Sequence, residues 1–162
     1  MGTERSEGVQ FSPKAKQTIK ELTTRYPDAQ AATLPALWLA QEEFGTIGPE
    51  ACAAVAELLG LTPAHVLGVA SFYTMFKKEP TGRYLIQVCS TLSCSLMGAQ
   101  SVVDYLERKL DIKCGGTTPD GKFSLVKVEC LASCGTAPVM QINDDYYESL
   151  TEEKIDRILE SL

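Results

Sequence analysis

Two pairs of cysteines constrain the fold of this chain more than any other feature. Cys89 and Cys94 sit in VCSTLSC, and Cys130 and Cys134 sit in VECLASCGTAPV, each pair directly after a run that reads as a strand. The spacings are C-x4-C and C-x3-C, with 35 residues between the pairs. Two strands of one sheet can place the loops at their ends on a common edge, so the pairs are able to converge. Convergence needs both runs in one sheet, with a loop at the same end of each.

The surrounding residues supply such a sheet. Tyr84-Leu85-Ile86-Gln87-Val88 leads into Cys89, and Phe123 to Glu129 alternates enough for a strand feeding Cys130. Between them a helix follows Gly98, with Val102, Val103, Leu106 and Leu110 on its buried side, and Pro119-Asp120-Gly121 marks a turn. Val139 to Ile142 is a further short strand, turned by Asn143-Asp144-Asp145, and Tyr146-Tyr147 returns. A last helix from about Glu152 turns Ile155, Ile158, Leu159 and Leu162 inward. The order is β-α-β-β-α, a small α/β domain over 81–162.

The first eighty residues have a different period. Ser12-Pro13 is an N-cap followed by proline at the first helical position, and Ala15, Ile19, Leu22 and Tyr26 continue at helical spacing until Pro27. A second helix is expected over roughly Ala31 to Phe44, with Gly45 ending it, and a third over about Pro49 to Leu59, capped by Gly60. Thr62-Pro63 opens a fourth, with Val66, Val69, Ala70 and Tyr73 on one face. Trp38, Phe72, Tyr73 and Phe76 are expected in the core, where aromatic side chains contribute most. The period changes after Glu79-Pro80-Thr81-Gly82, which divides a helical N-terminal domain (1–80) from the cysteine-bearing domain (81–162). The fold class is thus α+β or α/β.

Charge and hydropathy exclude several functions. Fifteen Lys and Arg against 21 Asp and Glu leave −6, the wrong sign for a nucleic-acid groove. The uncharged windows Leu58 to Phe76 and Tyr84 to Val103 are broken by Gly60 and Pro63 or filled with Ser, Gln and Cys, so direct membrane insertion is not expected. MGTERSEGVQ carries Glu4 and Glu7 and no apolar stretch, unlike a signal or transit peptide. Met1-Gly2 with Ser6 fits only the loose myristoylation pattern. The expected location is cytoplasmic, where thiols stay reduced.

Four readings of the thiols compete. A zinc site takes four thiolates in a tetrahedron, usually from pairs spaced more closely. Disulfides belong to secreted scaffolds. A redox dithiol favours C-x-x-C, which is absent. An iron–sulfur centre also takes four thiolates, and a 2Fe–2S rhomb is larger than one ion and suits wider loops. Ser90, Thr91, Ser93, Ser95, Ser133, Gly135 and Thr136 supply small side chains and hydrogen-bonding groups, one of the levers on cluster potential. Spacing favours the cluster and leaves zinc open.

VCSTLSC, TPDGKF and VECLASCGTAPVMQINDDYY, with GVASFYTMF at Gly68 to Phe76, resemble the E-subunit family of respiratory complex I, NADH:quinone oxidoreductase. The resemblance covers about residues 12 to 160. It implies a helical N-terminal bundle followed by a thioredoxin-like domain holding one 2Fe–2S cluster, with ligands falling on Cys89, Cys94, Cys130 and Cys134. It also implies an electron-transfer subunit in the peripheral arm, at the inner face of a bacterial membrane. The implied partners are a flavin- and NADH-binding subunit, which carries FMN and NADH, and further iron–sulfur subunits. The equivalent small subunit of a soluble NAD-linked hydrogenase or formate dehydrogenase uses the same module and is the alternative. A zinc-stabilised interaction module is the reading from another class. One departure stands out: the family commonly has glycine where this chain has Ala132, and alanine is strained there if the position needs a positive φ.

The remaining candidates take bland roles. Cys52 shares a helical face with Val55 and Leu59 and reads as a buried small hydrophobe, Cys114 as a loop cysteine at the solvent edge, and His65, the sole histidine, as a surface or packing residue. With no G-x-G-x-x-G or G-K-[ST] loop, catalytic residues are not expected on this chain. An oxidised 2Fe–2S centre with four thiolates is doubly negative and gains a third negative charge on reduction, which is costly to bury without compensating donors. Backbone N–H groups of the two loops are the expected donors, with Gly135 allowing close approach. Glu129 opposes reduction if it faces the cluster, and the expected centre is a low-potential one-electron carrier.

Overall fold

The computed structural model describes residues 9–162. The myristoylation pattern at Met1-Gly2 and Ser6 lies outside them, as does most of the MGTERSEGVQ segment. The chain forms two compact units, one ending at Pro80 and the other running from Thr81 to Leu162.

The first unit is helical. Helix α1 (Pro13–Thr23) starts where Ser12 Oγ accepts the Ala15 N–H at 3.2 Å. It stops four residues before Pro27. The Thr23 and Thr24 hydroxyls take the Lys20 and Glu21 carbonyls, each at 2.7 Å, and end the helical ladder there. A short 3-10 turn, Gln30–Ala32, precedes α2 (Thr33–Phe44), which Gly45 closes at φ 78°. Helix α3 (Pro49–Leu59) ends on left-handed Gly60, and α4 (Pro63–Phe72) begins where Thr62 Oγ1 accepts the His65 N–H. Ile19, Leu37, Ile47, Val55, Val66 and Ala70 fill the core, with Cys52 among them. Gln41 ties the segment after α4 back to α2, accepting from Lys77 N at 2.6 Å and donating to Met75 O at 3.2 Å.

Three of the four aromatic residues expected in this core are not in it. Phe76 is buried, but Trp38 and Tyr73 are part-exposed and Phe72 is 78% exposed. Trp38, on α2, meets Phe76 edge-on at 5.6 Å, and for Phe72 and Tyr73 the cause is where α4 ends. Tyr73 leaves the helix in extended backbone, off the Val66–Ala70 face, and its ring stacks edge-on against Phe72 at 5.0 Å.

The second unit is built on a four-stranded sheet in the order β2-β1-β3-β4. Strands β1 (Tyr84–Cys89) and β2 (Phe123–Val128) pair in parallel from Tyr84 opposite Phe123 to Cys89 opposite Val128. Strand β3 (Met140–Ile142) runs antiparallel to β1, and β4 (Asp145–Tyr147) is antiparallel to β3. A parallel pair needs a crossover, supplied here by α5 (Leu92–Leu96) and α6 (Ala99–Leu110). Helix α7 (Glu152–Ser161) closes the unit. Ile86, Val88, Leu106, Leu125, Met140 and Ile155 are fully buried between sheet and helices. Gly82 is required at the entry to β1, because a Cβ there would lie 2.8 Å from the Phe123 carbonyl carbon. Its N–H donates to buried Ser124 Oγ at 2.7 Å. Tyr105 on α6 donates to Asp156 on α7 at 2.7 Å, and Lys109 pairs with the same carboxylate at 2.9 Å.

Candidate functional site

Because β1 and β2 are parallel neighbours in register, their C-terminal ends lie side by side, and both cysteine loops open there. Cys89 is the last residue of β1 and Cys94 lies within α5; both are buried. Cys130 follows β2 and Cys134 begins a 3-10 turn, Cys134–Thr136; both are exposed. Cys89, Cys94 and Leu131 pack with Val139 and Ala99 in a small cluster of their own at this end. All four thiols are free. Among the described residues no three His, Cys, Asp or Glu side chains form a group that could hold a single metal ion.

Polar backbone and hydroxyl groups surround the sulfurs. Ala132 N–H donates to Cys130 Sγ at 3.2 Å. The backbone at Thr91 and Leu131 favours the thiolate form of Cys89, and the backbone at Val139 favours that of Cys94. Burial opposes ionisation of Cys89, but the Thr91 and Leu131 amides, with help from Cys94 and the Thr91 hydroxyl, hold its thiol below the ordinary cysteine range. Burial pushes Cys94 up, reinforced by its hydrogen bond to Cys89 and by the charges of Cys89 and Cys134, against the Val139 amide. As a thiol, Cys89 donates to Glu129 O at 3.7 Å and Thr91 Oγ1 at 3.9 Å.

This donor set suits thiolates carrying negative charge, as ligands of an anionic cluster do. The residues present therefore fit a 2Fe–2S group. Gly135 is not left-handed, and a Cβ built on it meets no protein atom within 4 Å. The Glu129 side chain is exposed, and its carbonyl is what reaches toward Cys89. Ala132 is left-handed at φ 57°, so the backbone that turns its N–H onto Cys130 carries alanine strain.

Sequence reasoning misses α5, which carries Cys94 in a segment that spacing reads as loop. Thr91 at its N-cap, in extended backbone, is the available signal, but five residues give no periodicity. It also misses Glu148, whose carboxylate accepts the Ser133 and Thr136 hydroxyls beside Cys134. Cys52 is buried in the helical core, and burial pushes its thiol up. Cys114 is half-buried against the sheet core, with its N–H on Glu107 Oε1 at 2.8 Å. His65 lies in the first turn of α4.

A parallel pair with a helical crossover, an antiparallel return and paired cysteines at its tip define a thioredoxin-like domain with a cysteine-lined end. Residues 19–162 match the family model for the thioredoxin-like [2Fe-2S] ferredoxin. NADH-quinone oxidoreductase subunit 2 of Thermus thermophilus is 48% identical over 155 residues, covering 94% of this chain and 86% of the relative. The second of the NADH-quinone oxidoreductase E subunits of Rhizobium meliloti is 43% identical, covering 90% and 87%. The corresponding E subunit of Rickettsia conorii is 42% identical, covering 94% and 93%. The chain belongs to the thioredoxin-like 2Fe–2S ferredoxin family, among the E subunits of NADH-quinone oxidoreductases. Among solved structures, an air-oxidised NAD+-reducing [NiFe]-hydrogenase matches at a TM-score of 0.61 and 23% identity, over 99% of this chain and 24% of that one, a likeness of fold.

Proposed function

We propose that Cys89, Cys94, Cys130 and Cys134 hold one 2Fe–2S cluster, and that the chain is the electron-transfer subunit of an NADH:quinone oxidoreductase beside its FMN- and NADH-binding subunit. The observation that carries this reading is the parallel register of β1 and β2, which opens both cysteine loops at one end of the sheet, where Ala132 N–H donates to Cys130 Sγ. When bound, the cluster supplies one-electron transfer. The chain's own residues bind and orient it: β1 and β2 fix the two loops in register, and the amides of Thr91, Leu131, Ala132 and Val139 offset negative charge at the sulfurs.

Cys89 and Cys94 lie inside the fold while Cys130 and Cys134 face out, so the cluster would sit at the rim. Leu92, Leu96 and Met97, on and just after α5, are 72%, 78% and 61% exposed. Apolar side chains presented beside a redox site suit a protein partner, and the flavin-bearing subunit would lie against them. No described helix is long and apolar enough to cross a membrane. The proposed place is the cytoplasmic peripheral arm, with further iron–sulfur subunits beyond the partner. Residues 1–80 and 81–162 act as helical and cluster-bearing domains.

The test is anaerobic isolation of the chain from its own cells with bound proteins retained, followed by addition of NADH. The expected outcome is a complex containing a flavoprotein and membrane quinone-reducing subunits, in which NADH reduces the cluster. Isolation with a hydrogenase or formate dehydrogenase large subunit instead would overturn the quinone assignment.

A further inference from the structure

The cysteine loops are held at one point by a residue outside both of them. After β4, Glu148 turns its carboxylate onto the second loop, where Oε1 accepts from Ser133 Oγ and from Thr136 Oγ1, the latter at 2.6 Å. The two hydroxyl oxygens are 2.8 Å apart, and Thr136 Oγ1 also lies 3.3 Å from Ser133 O. The residues next to Glu148 fasten the same loop through its backbone. Ser149 N donates to Thr136 O at 2.6 Å, and Leu150 N donates to Pro138 O at 3.1 Å. Lys154, in the first turn of α7, donates to Glu148 O at 2.5 Å and fixes the segment from behind.

Proton bookkeeping gives this clasp a consequence. A serine or threonine hydroxyl has one proton to donate, and an ionised carboxylate only accepts. Ser133 immediately precedes Cys134, and Thr136 follows it by two residues. With the two hydroxyls donating to Glu148 or to one another, neither proton is left for sulfur. Hydrogen bonds to the sulfurs, net charge and exposure are what set a cluster's potential.

We propose that Glu148 is a positioning residue for the cluster. Its carboxylate clamps Ser133 and Thr136, holds the Cys130–Cys134 loop in its binding shape, and withholds two hydroxyl donors from the sulfurs, which keeps the potential low. This rests on the reading that the four cysteines hold a 2Fe–2S cluster. Removing the carboxylate acts twice in one direction: it deletes a negative charge near a group that becomes more negative on reduction, and it frees hydroxyl protons for sulfur.

The test is an EPR-monitored redox titration of the full chain, with iron and sulfide measured on every sample. Glu148→Ala, which removes both the charge and the accepting oxygen, should retain two irons and two sulfides per chain, with its reduction equilibrium constant raised at least threefold, about 28 mV at 59 mV per decade for one electron. Ser133→Ala with Thr136→Val should leave the potential within twofold in the native background, yet reverse part of the gain when added to Glu148→Ala. A fully loaded Glu148→Ala with an unchanged potential overturns the role of Glu148 and leaves the cluster reading intact. So does a native-background Ser133→Ala/Thr136→Val variant whose equilibrium constant falls more than twofold, since its hydroxyls were then already serving sulfur; this arm decides the matter if Glu148→Ala does not load. A wild-type chain without iron and sulfide overturns both readings.

Discussion

Ala132 offers a direct test of the backbone that shapes the second cysteine loop. Its φ of 57° lies in the left-handed region, and its side chain is exposed, so nothing in the packing demands a methyl group there. An L-residue in that region carries a penalty of about 1–2 kcal/mol that glycine escapes. Glycine returns roughly 0.5–1 kcal/mol of this through the larger entropy of its unfolded chain. Ala132→Gly is therefore expected to stabilise the Thr81–Leu162 unit by about 0.5–1 kcal/mol. For a unit of this size that is a rise in midpoint temperature of about 2–8 °C. The assay is anaerobic thermal and urea unfolding followed by circular dichroism, with wild type and variant matched for iron content. Gly98→Ala is the converse control: Gly98 has φ 90° with nothing within 4 Å of the added Cβ, so backbone strain alone should destabilise it by a similar amount. A loss of stability in Ala132→Gly, or none in Gly98→Ala, would refute the reasoning.

Four further outcomes are expected. Cys94→Ala and Cys130→Ala each abolish the visible cluster spectrum, whereas Cys52→Ala and Cys114→Ala keep it; absorption spectra of the four variants decide this. Leu96→Lys leaves that spectrum unchanged and weakens association with the flavin-bearing subunit at least tenfold, about 1.4 kcal/mol, in a binding titration. Asp156 is held below the usual carboxylate range, first by the Tyr105 hydroxyl and then by Lys109. Its contribution is thus present above the unfolded aspartate range and lost as pH falls through the lower folded value, so wild type and Asp156→Asn should converge in urea midpoint in acid and diverge toward neutrality. Thr33 Oγ1 is buried without a hydrogen-bond partner, and Thr33→Val should raise stability by about 1 kcal/mol in the same assay.

Much of the fold is legible in the sequence because local chemistry and burial agree. Ser12 and Thr62 cap the helices they precede, and Gly45 and Gly60 close α2 and α3. The alternation before Cys130 and the apolar run before Cys89 become paired parallel strands. What fails depends on tertiary position. Hydrophobicity alone places Phe72 and Tyr73 in the core, but the end of α4 at Phe72 sends both rings toward solvent. Pro27 reads as the stop for α1, yet threonine hydroxyls end it earlier. At the site, the cysteines and the need for backbone donors are readable from spacing and charge. The left-handed state of Ala132 is visible only as a condition. Glu148 is not visible at all, since its partners Ser133 and Thr136 lie 15 and 12 residues away and meet it only through the β3–β4 return.

The most direct test of the central claim is iron, acid-labile sulfide and zinc content of chain purified without air, with EPR after dithionite reduction. The account predicts two irons and two sulfides per chain, no zinc, and a rhombic signal from one unpaired electron. One zinc with no sulfide and no signal would contradict it and make the four thiols a structural clasp.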